Sequence, residues 1–157
     1  MQKNNLSQAS DKRELQITRV FDAPVEAVWK AWTDAKQLAQ WWGPREFTNP
    51  VCEIDARPGG KIYIEMKGPD GTVYPMNGAF QEISPPNRLV FTSAALDENG
   101  KPVLEVLTTV TFEKLDGKTK LILKASVTKV IGIGYAYLEG MEDGWSQSLD
   151  RLAEIVE

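Results

Sequence analysis

Residues 135–157 read YAYLEGMEDGWSQSLDRLAEIVE. From Leu138 the large apolar side chains are Leu138, Met141, Trp145, Leu149, Leu152 and Val156, spaced 3, 4, 4, 3 and 4 apart. That spacing puts all six on one side of an α-helix. Glu139, Glu142, Asp143, Gln147, Asp150, Arg151 and Glu154 take most of the other side. An amphipathic helix draws most of its stability from packing, so a broad apolar surface elsewhere in the chain must cover the stripe. Gly140, Gly144 and Ser148 form a row of small residues along its flank. Each interior glycine costs roughly 1 kcal/mol against alanine. Two readings of the row stand side by side. Either the helix packs closely there against a strand or a connecting loop, or it leaves room for a ligand.

The bulk properties narrow the classes. The 157 residues suffice for one domain with a substantial core. A net charge of −4, with no cluster of Lys and Arg, disfavours a nucleic-acid surface. No apolar run reaches the roughly 18 residues a bilayer-crossing helix needs, so no membrane insertion is expected. Residues 1–13 are polar, lack the apolar stretch of a signal peptide, and read as a disordered leader to a domain over 14–157. Cys52 is the single cysteine, which excludes an internal disulfide and fits the cytoplasm. There is no histidine. Ser-His-Asp and Cys-His machinery are therefore excluded, with the commonest zinc and iron ligand sets. No metal site is expected.

Working back from the helix, the chain divides cleanly. Glu14 to Phe21 alternates as a strand. Asp22-Ala23-Pro24 stops it, and the proline suits a first helical turn, with Asp22 or Ala23 as N-cap. Val25, Val28, Trp29 and Trp32 follow at helical spacing. Asp34 with Gln37 three residues on opens a second helix as in a capping box, and Gly43-Pro44 ends it. From Pro50 to Val127 the period is two. Strands are expected over 51–56, 61–67, 73–84, 88–95, 103–114 and 118–127, divided by short Gly, Pro and Asn turns. Gly78 suggests a bulge or bend in the third of these. Val106, Thr108, Val110 and Phe112 share one face, and so do Leu121, Leu123 and Ala125. Short turns make the strands antiparallel and sequential. The fold class is α+β, in the order β-α-α-β-β-β-β-β-β-α: a curved antiparallel sheet wrapped around the C-terminal helix.

An ordered set of motifs carries a family likeness. It comprises Arg19-Val20-Phe21-Asp22-Ala23-Pro24 with Val28-Trp29, then Trp41-Trp42-Gly43-Pro44 and Arg57-Pro58-Gly59-Gly60. Pro69-Asp70-Gly71, Pro85-Pro86-Asn87-Arg88-Leu89, Gly140-Met141-Glu142-Asp143-Gly144-Trp145 and Leu149-Asp150-Arg151-Leu152 complete it. Across residues 14–156 the chain resembles the homologues of the activator of the heat-shock-protein-90 ATPase, in the helix-grip, START-like (SRPBCC) superfamily. The resemblance implies a cofactor-free protein with an apolar cavity between sheet and terminal helix. Relatives across that superfamily bind lipids, hormones or polyketides, and some catalyse cyclisation or dehydration. The resemblance also implies a chaperone as a partner. The eukaryotic activator carries a separate N-terminal domain, however, and residues 1–13 hold no counterpart of it.

The expected ligand-binding set combines both lines. Trp32, Trp42 and Trp145 offer large apolar bodies with one donor each. Met66, Met76 and Met141 fill irregular apolar space. Ile64, Phe91 and Val106 supply the sheet's inner face, and Thr108 a hydroxyl that either meets a ligand or bonds its own backbone neighbours. Gly144 and Ser148 supply the room. Trp29 reads as packing, Cys52 as a strand filler, and Lys61, Tyr63 and Glu65 as a solvated face. The expected function is binding of an apolar or amphipathic molecule without catalysis. The alternatives are a chaperone accessory and a cyclase or dehydratase. The last gains on the chaperone reading if a glutamate or tyrosine lies inside the cavity. A homodimer through the outer sheet face is compatible with the sequence.

Overall fold

The computed structural model describes residues 13–157. Seven strands form one antiparallel sheet: β1 (Glu14–Phe21), β2 (Thr48–Ile54), β3 (Lys61–Lys67), β4 (Val73–Ser84), β5 (Arg88–Leu96), β6 (Pro102–Leu115) and β7 (Lys118–Val130). Their order across the sheet is β1-β7-β6-β5-β4-β3-β2. Strands β2 to β7 thus lie in chain order, as short turns require, and β1 closes the far edge against β7. Two helices, α1 (Val25–Thr33) and α2 (Ala35–Trp41), fill the crossover from β1 to β2. The disordered leader expected over residues 1–13 lies outside the described residues except for Arg13. The carbonyl of Arg13 accepts a hydrogen bond from the Val127 N–H at 2.7 Å.

The terminal stretch departs from the expected single helix. It folds as α3 (Gly134–Glu139) and α4 (Met141–Val156), separated at Gly140, where φ is −91° and ψ is 0°. In α4, Leu149 and Leu152 are fully buried, while Trp145 and Val156 are half-buried against the core. The periodicity of the stripe is correct, but its first residue, Leu138, belongs to another helix. At the other end of the chain, Pro24 is itself the N-cap of α1 and no side chain caps that helix. Asp34 behaves as expected, accepting a hydrogen bond from the Gln37 N–H at 3.2 Å.

Registry explains two irregularities. Gly78 pairs regularly with Ile62 and Ser93, and the bulge lies instead between Phe80 and Glu82. Gly78 is needed for close approach, since a Cβ there would overlap the Thr92 carbonyl oxygen. Strand β7 runs on to Val130, past the point where alternation fails, because a bulge at Thr128 restores its inward face. The core lies between the sheet's concave face and the helices. Leu89, Val110, Phe112, Leu121 and Leu123 from the sheet meet Val25, Val28 and Ala31 of α1 and Leu149 and Leu152 of α4.

Four tryptophans gather above this core. Trp32 meets Trp41 with ring centroids 4.7 Å apart, and Trp41 meets Trp42 at 6.1 Å. Trp42 meets Trp145 edge-on at 5.2 Å, and Trp145 stacks on Trp32 at 5.9 Å. Trp29 stands apart, packed edge-on against Phe112 at 5.3 Å, as its reading as packing anticipates.

Candidate ligand-binding cavity

The corner after α2 is built first, because α4 and the cavity both depend on it. Gly43 has φ +95°, a conformation that favours glycine, and a Cβ there would stand 2.8 Å from the Met66 sulfur. Its N–H donates to Ser148 Oγ at 3.0 Å, and that hydroxyl donates to the Gly144 carbonyl at 2.9 Å. Arg151 reaches over from α4. Its Nη1 donates to the carbonyls of Trp42, Gly43 and Pro44 at 3.1, 2.9 and 3.0 Å, and its Nη2 to that of Gln40 at 2.9 Å. Carbonyls at and just beyond the end of α2 thereby gain a donor from another helix; that of Trp42 also accepts from Asn49 Nδ2 at 2.8 Å, and that of Pro44 from the Phe47 N–H at 3.2 Å. Burial and the neighbouring Arg45 lower the Arg151 pKa.

Against this corner lies a cavity of about 420 Å³. One side is the corner itself, Trp42, Gly43, Pro44 and Phe47. A second is the sheet. Met76, Ala95 and Leu104 stand in one cross-strand row, and Ser93 and Val106 in the next. The third is helical: Ala136 and Tyr137 from α3, Gly140, and Met141, Gly144, Trp145 and Ser148 from α4. Met66 and Tyr74, opposed on β3 and β4, complete the wall with Pro75 and Leu96. The Tyr74 and Tyr137 rings meet edge-on at 6.3 Å. The glycines are not packed against anything. A Cβ on Gly144 would come no closer than 4.0 Å to Pro44, and one on Gly140 no closer than 3.9 Å to the Tyr137 carbonyl oxygen.

Eight residues singled out from the sequence stand in this wall: Trp42, Met66, Met76, Val106, Met141, Gly144, Trp145 and Ser148. Four do not. Trp32, Ile64 and Phe91 lie deeper, around a separate void of about 10 Å³. They are 2%, 0% and 3% exposed, and only Trp42 and Met76 border both voids. Thr108 is fully buried opposite Phe91 and Ala125, one cross-strand row beyond Val106 and outside both voids. Its hydroxyl has no hydrogen-bond partner among the described residues, so the backbone bond expected of it is not made. The Trp32 Nε1 is buried and unpaired in the same way. Ser148 lines the wall, but its hydroxyl is already committed to the corner.

The sequence reading missed Phe47, Tyr74, Ser93, Ala95, Leu104 and Tyr137. A signal was present for the sheet members. Alternation along β5 puts Phe91, Ser93 and Ala95 on one inner face, and two small residues in succession there leave a hollow. Phe47 lies in a connection, where no periodicity gives a direction, and Tyr137 lies one turn before Met141, just ahead of the stripe as read from Leu138.

No Asp, Glu, Lys or Arg stands among the lining residues. Burial raises the Tyr137 pKa, and the Tyr74 phenol and Asp97 raise it further, so this phenol stays a neutral donor. With two tyrosines in the wall, the cyclase or dehydratase alternative gains on the chaperone one. Among the described residues, no group of three or more His, Cys, Asp or Glu is placed to hold a metal ion. No helix among them is long and apolar enough to cross a membrane. On the outer face, the Tyr63 hydroxyl donates to Glu65 at 2.6 Å.

Residues 22–157 match the family model described as Activator of Hsp90 ATPase homolog 1-like protein. Three solved structures illustrate the likeness. A protein from Chromobacterium violaceum is 31% identical, with 92% of this chain and 97% of that one covered and a TM-score of 0.75. One from Arthrobacter aurescens is 29% identical, covering 94% and 87%, at a TM-score of 0.81. A third, from Mycobacterium smegmatis, is 26% identical, covering 94% and 93%, at 0.79. Among curated proteins nothing matches.

Proposed function

The chain belongs to the family of Activator of Hsp90 ATPase homolog 1-like proteins, and on that premise we propose that it binds an apolar or amphipathic small molecule beside α4. One observation carries the reading. The cavity of about 420 Å³ lies in the size range of small-molecule sites, and its wall is predominantly apolar and aromatic. Gly144 supports it, because its missing side chain adjoins open space instead of a packed neighbour. Binding is favoured over catalysis because the wall offers phenols without a carboxylate or other base to work with them. Cys52 is free, which suits a cytoplasmic protein.

A thermal-shift screen against fatty acids, flavonoids and polyketides, followed by calorimetric titration of the hits, tests the reading. At a hundred times its Kd a ligand stabilises the fold by about 2.7 kcal/mol. Gly144→Leu fills the cavity while improving helix propensity by roughly 1 kcal/mol. The variant is expected to stay folded, with an undiminished melting temperature, and to lose binding. Normal binding by Gly144→Leu, or no shift from any compound, sinks the proposal.

Of the other readings, the phenols in the wall raise a cyclase or dehydratase above the accessory to heat-shock protein 90 that the family description suggests, and the chaperone reading has its own test. Co-purification with that chaperone and a change in its ATPase rate are the outcomes it requires.

A further inference from the structure

We infer that the cavity selects uncharged molecules, with a flat apolar body carrying a hydrogen-bond acceptor such as a carbonyl. The inference deepens the binding reading and rests on it. Its ground is a contrast within the wall. No described residue lining it is charged, yet three hydroxyls, those of Tyr74, Tyr137 and Ser93, belong to lining residues. None of the three is hydrogen-bonded to another described residue. By comparison, the fourth lining hydroxyl, on Ser148, both accepts and donates within the protein.

An anion entering this wall would leave water for surroundings that hold no positive charge, and nothing there would repay its lost hydration. A cation gains something from the ring faces and from Asp97 nearby, but no carboxylate in the wall pairs with it. A carbonyl loses far less on leaving water, and a free phenol replaces what it loses. Tyrosine hydroxyls suit an acceptor best, and burial keeps that of Tyr137 protonated well into the alkaline range. An anion fares no better at the rim. Asp97 lies close enough to act on Tyr137, and its carboxylate is held in place by the backbone N–H groups of Asn99 and Lys101. The shape argument is aromatic. Trp42 and Trp145 meet at 80° and Tyr74 and Tyr137 at 82°. Each pair offers one ring face and one ring edge, which a flat molecule can meet by offset stacking or edge-on contact.

Four probes of one shape separate the possibilities: 2-acetylnaphthalene, naphthalene, 2-naphthoate and 2-naphthylmethylammonium, titrated calorimetrically into the full chain at pH 7. The ketone is expected to bind at least about tenfold more tightly than either ion, a difference of about 1.4 kcal/mol. It is also expected to bind several-fold more tightly than naphthalene. Tyr137→Phe, or Tyr74→Phe if the first variant does not fold, should narrow the lead of the ketone over naphthalene and leave naphthalene's own affinity unchanged. An ion that equals the ketone overturns the selectivity for neutral ligands while the binding site stands. A ketone no better than naphthalene, or a lead that survives the substitution, overturns the role of the hydroxyls. If none of the four binds, this inference falls, while the binding reading stands or falls with the wider thermal-shift screen.

Discussion

Cys52 on β2 shows how one side chain writes itself into stability. Burial pushes its thiol up from 9.0 to about 11, with Glu53 adding to the effect. The fold therefore favours the protonated thiol. Its contribution is fully present below pH 9 and is lost as pH rises from 9 through about 11. Each pKa unit corresponds to about 1.4 kcal/mol, and water screens the half-buried thiol, so the loss comes to about 1 kcal/mol. Denaturant titrations at several pH values should show a flatter alkaline decline for Cys52→Ala than for the parent. An equal decline in both would remove the thiol as its source. Residues of this kind were legible as strand fillers, but their electrostatics were not. Ser148 is the sharper instance. Its place beside the cavity followed from helical spacing, whereas its bond to Gly43 crosses 105 residues and leaves no trace in any local pattern. Thr108 failed in the opposite way. Alternation placed it inward correctly, but the face of a strand does not say how far along the sheet the hollow extends.

Arg151 governs the joint between two elements. From sequence it belongs to the polar side of the terminal helix, and periodicity says nothing about what a long side chain touches. In the fold its guanidinium reaches four carbonyls at and just beyond the end of α2, sharing those of Trp42 and Pro44 with Asn49 and the Phe47 N–H. Lysine has the charge but not the planar fork. Arg151→Lys is expected to lower stability by about 1–2 kcal/mol, through carbonyls left short of donors. Because the same corner sets Trp42 and Gly43 against the cavity, ligand affinity should fall with it. Urea denaturation and calorimetry read the two effects, and a variant with parental stability would show that solvent can take over the arginine's part. The break at Gly140 is the other lesson at this scale. A six-position apolar stripe is continuous across α3 and α4, since a short interruption at one residue hardly disturbs the spacing on either side.

Across the whole molecule, the sheet was the most legible part. Asn99-Gly100, Asp116-Gly117 and the proline turns set the strand limits, and short connections left one sequential antiparallel order. The hollow was harder to read, because it is defined by residues that are small where three elements converge. Gly140 and Gly144 contribute from the helices, Ser93 and Ala95 from the sheet. Keeping it open opposes stability. Alanine at both glycines meets no neighbour closer than 3.9 Å. At Gly144, inside α4, the replacement should add about 1 kcal/mol, and at Gly140, between the helices, about 0.4–1 kcal/mol by stiffening the unfolded chain. The double variant Gly140→Ala with Gly144→Ala is therefore expected to resist urea better and to bind cavity ligands less well. A less stable double variant would mean that the glycines serve the backbone and not the space.

The four tryptophan contacts close into a circuit, Trp32 to Trp41 to Trp42 to Trp145 and back to Trp32. At such separations the indole transitions are electronically coupled, so light absorbed by one ring is shared among all four. The near-ultraviolet circular dichroism of this protein is accordingly a property of the circuit. Only Trp42 and Trp145 border the cavity, yet a molecule resting on either one detunes the whole set. An occupant would announce itself as a change in a collective spectrum.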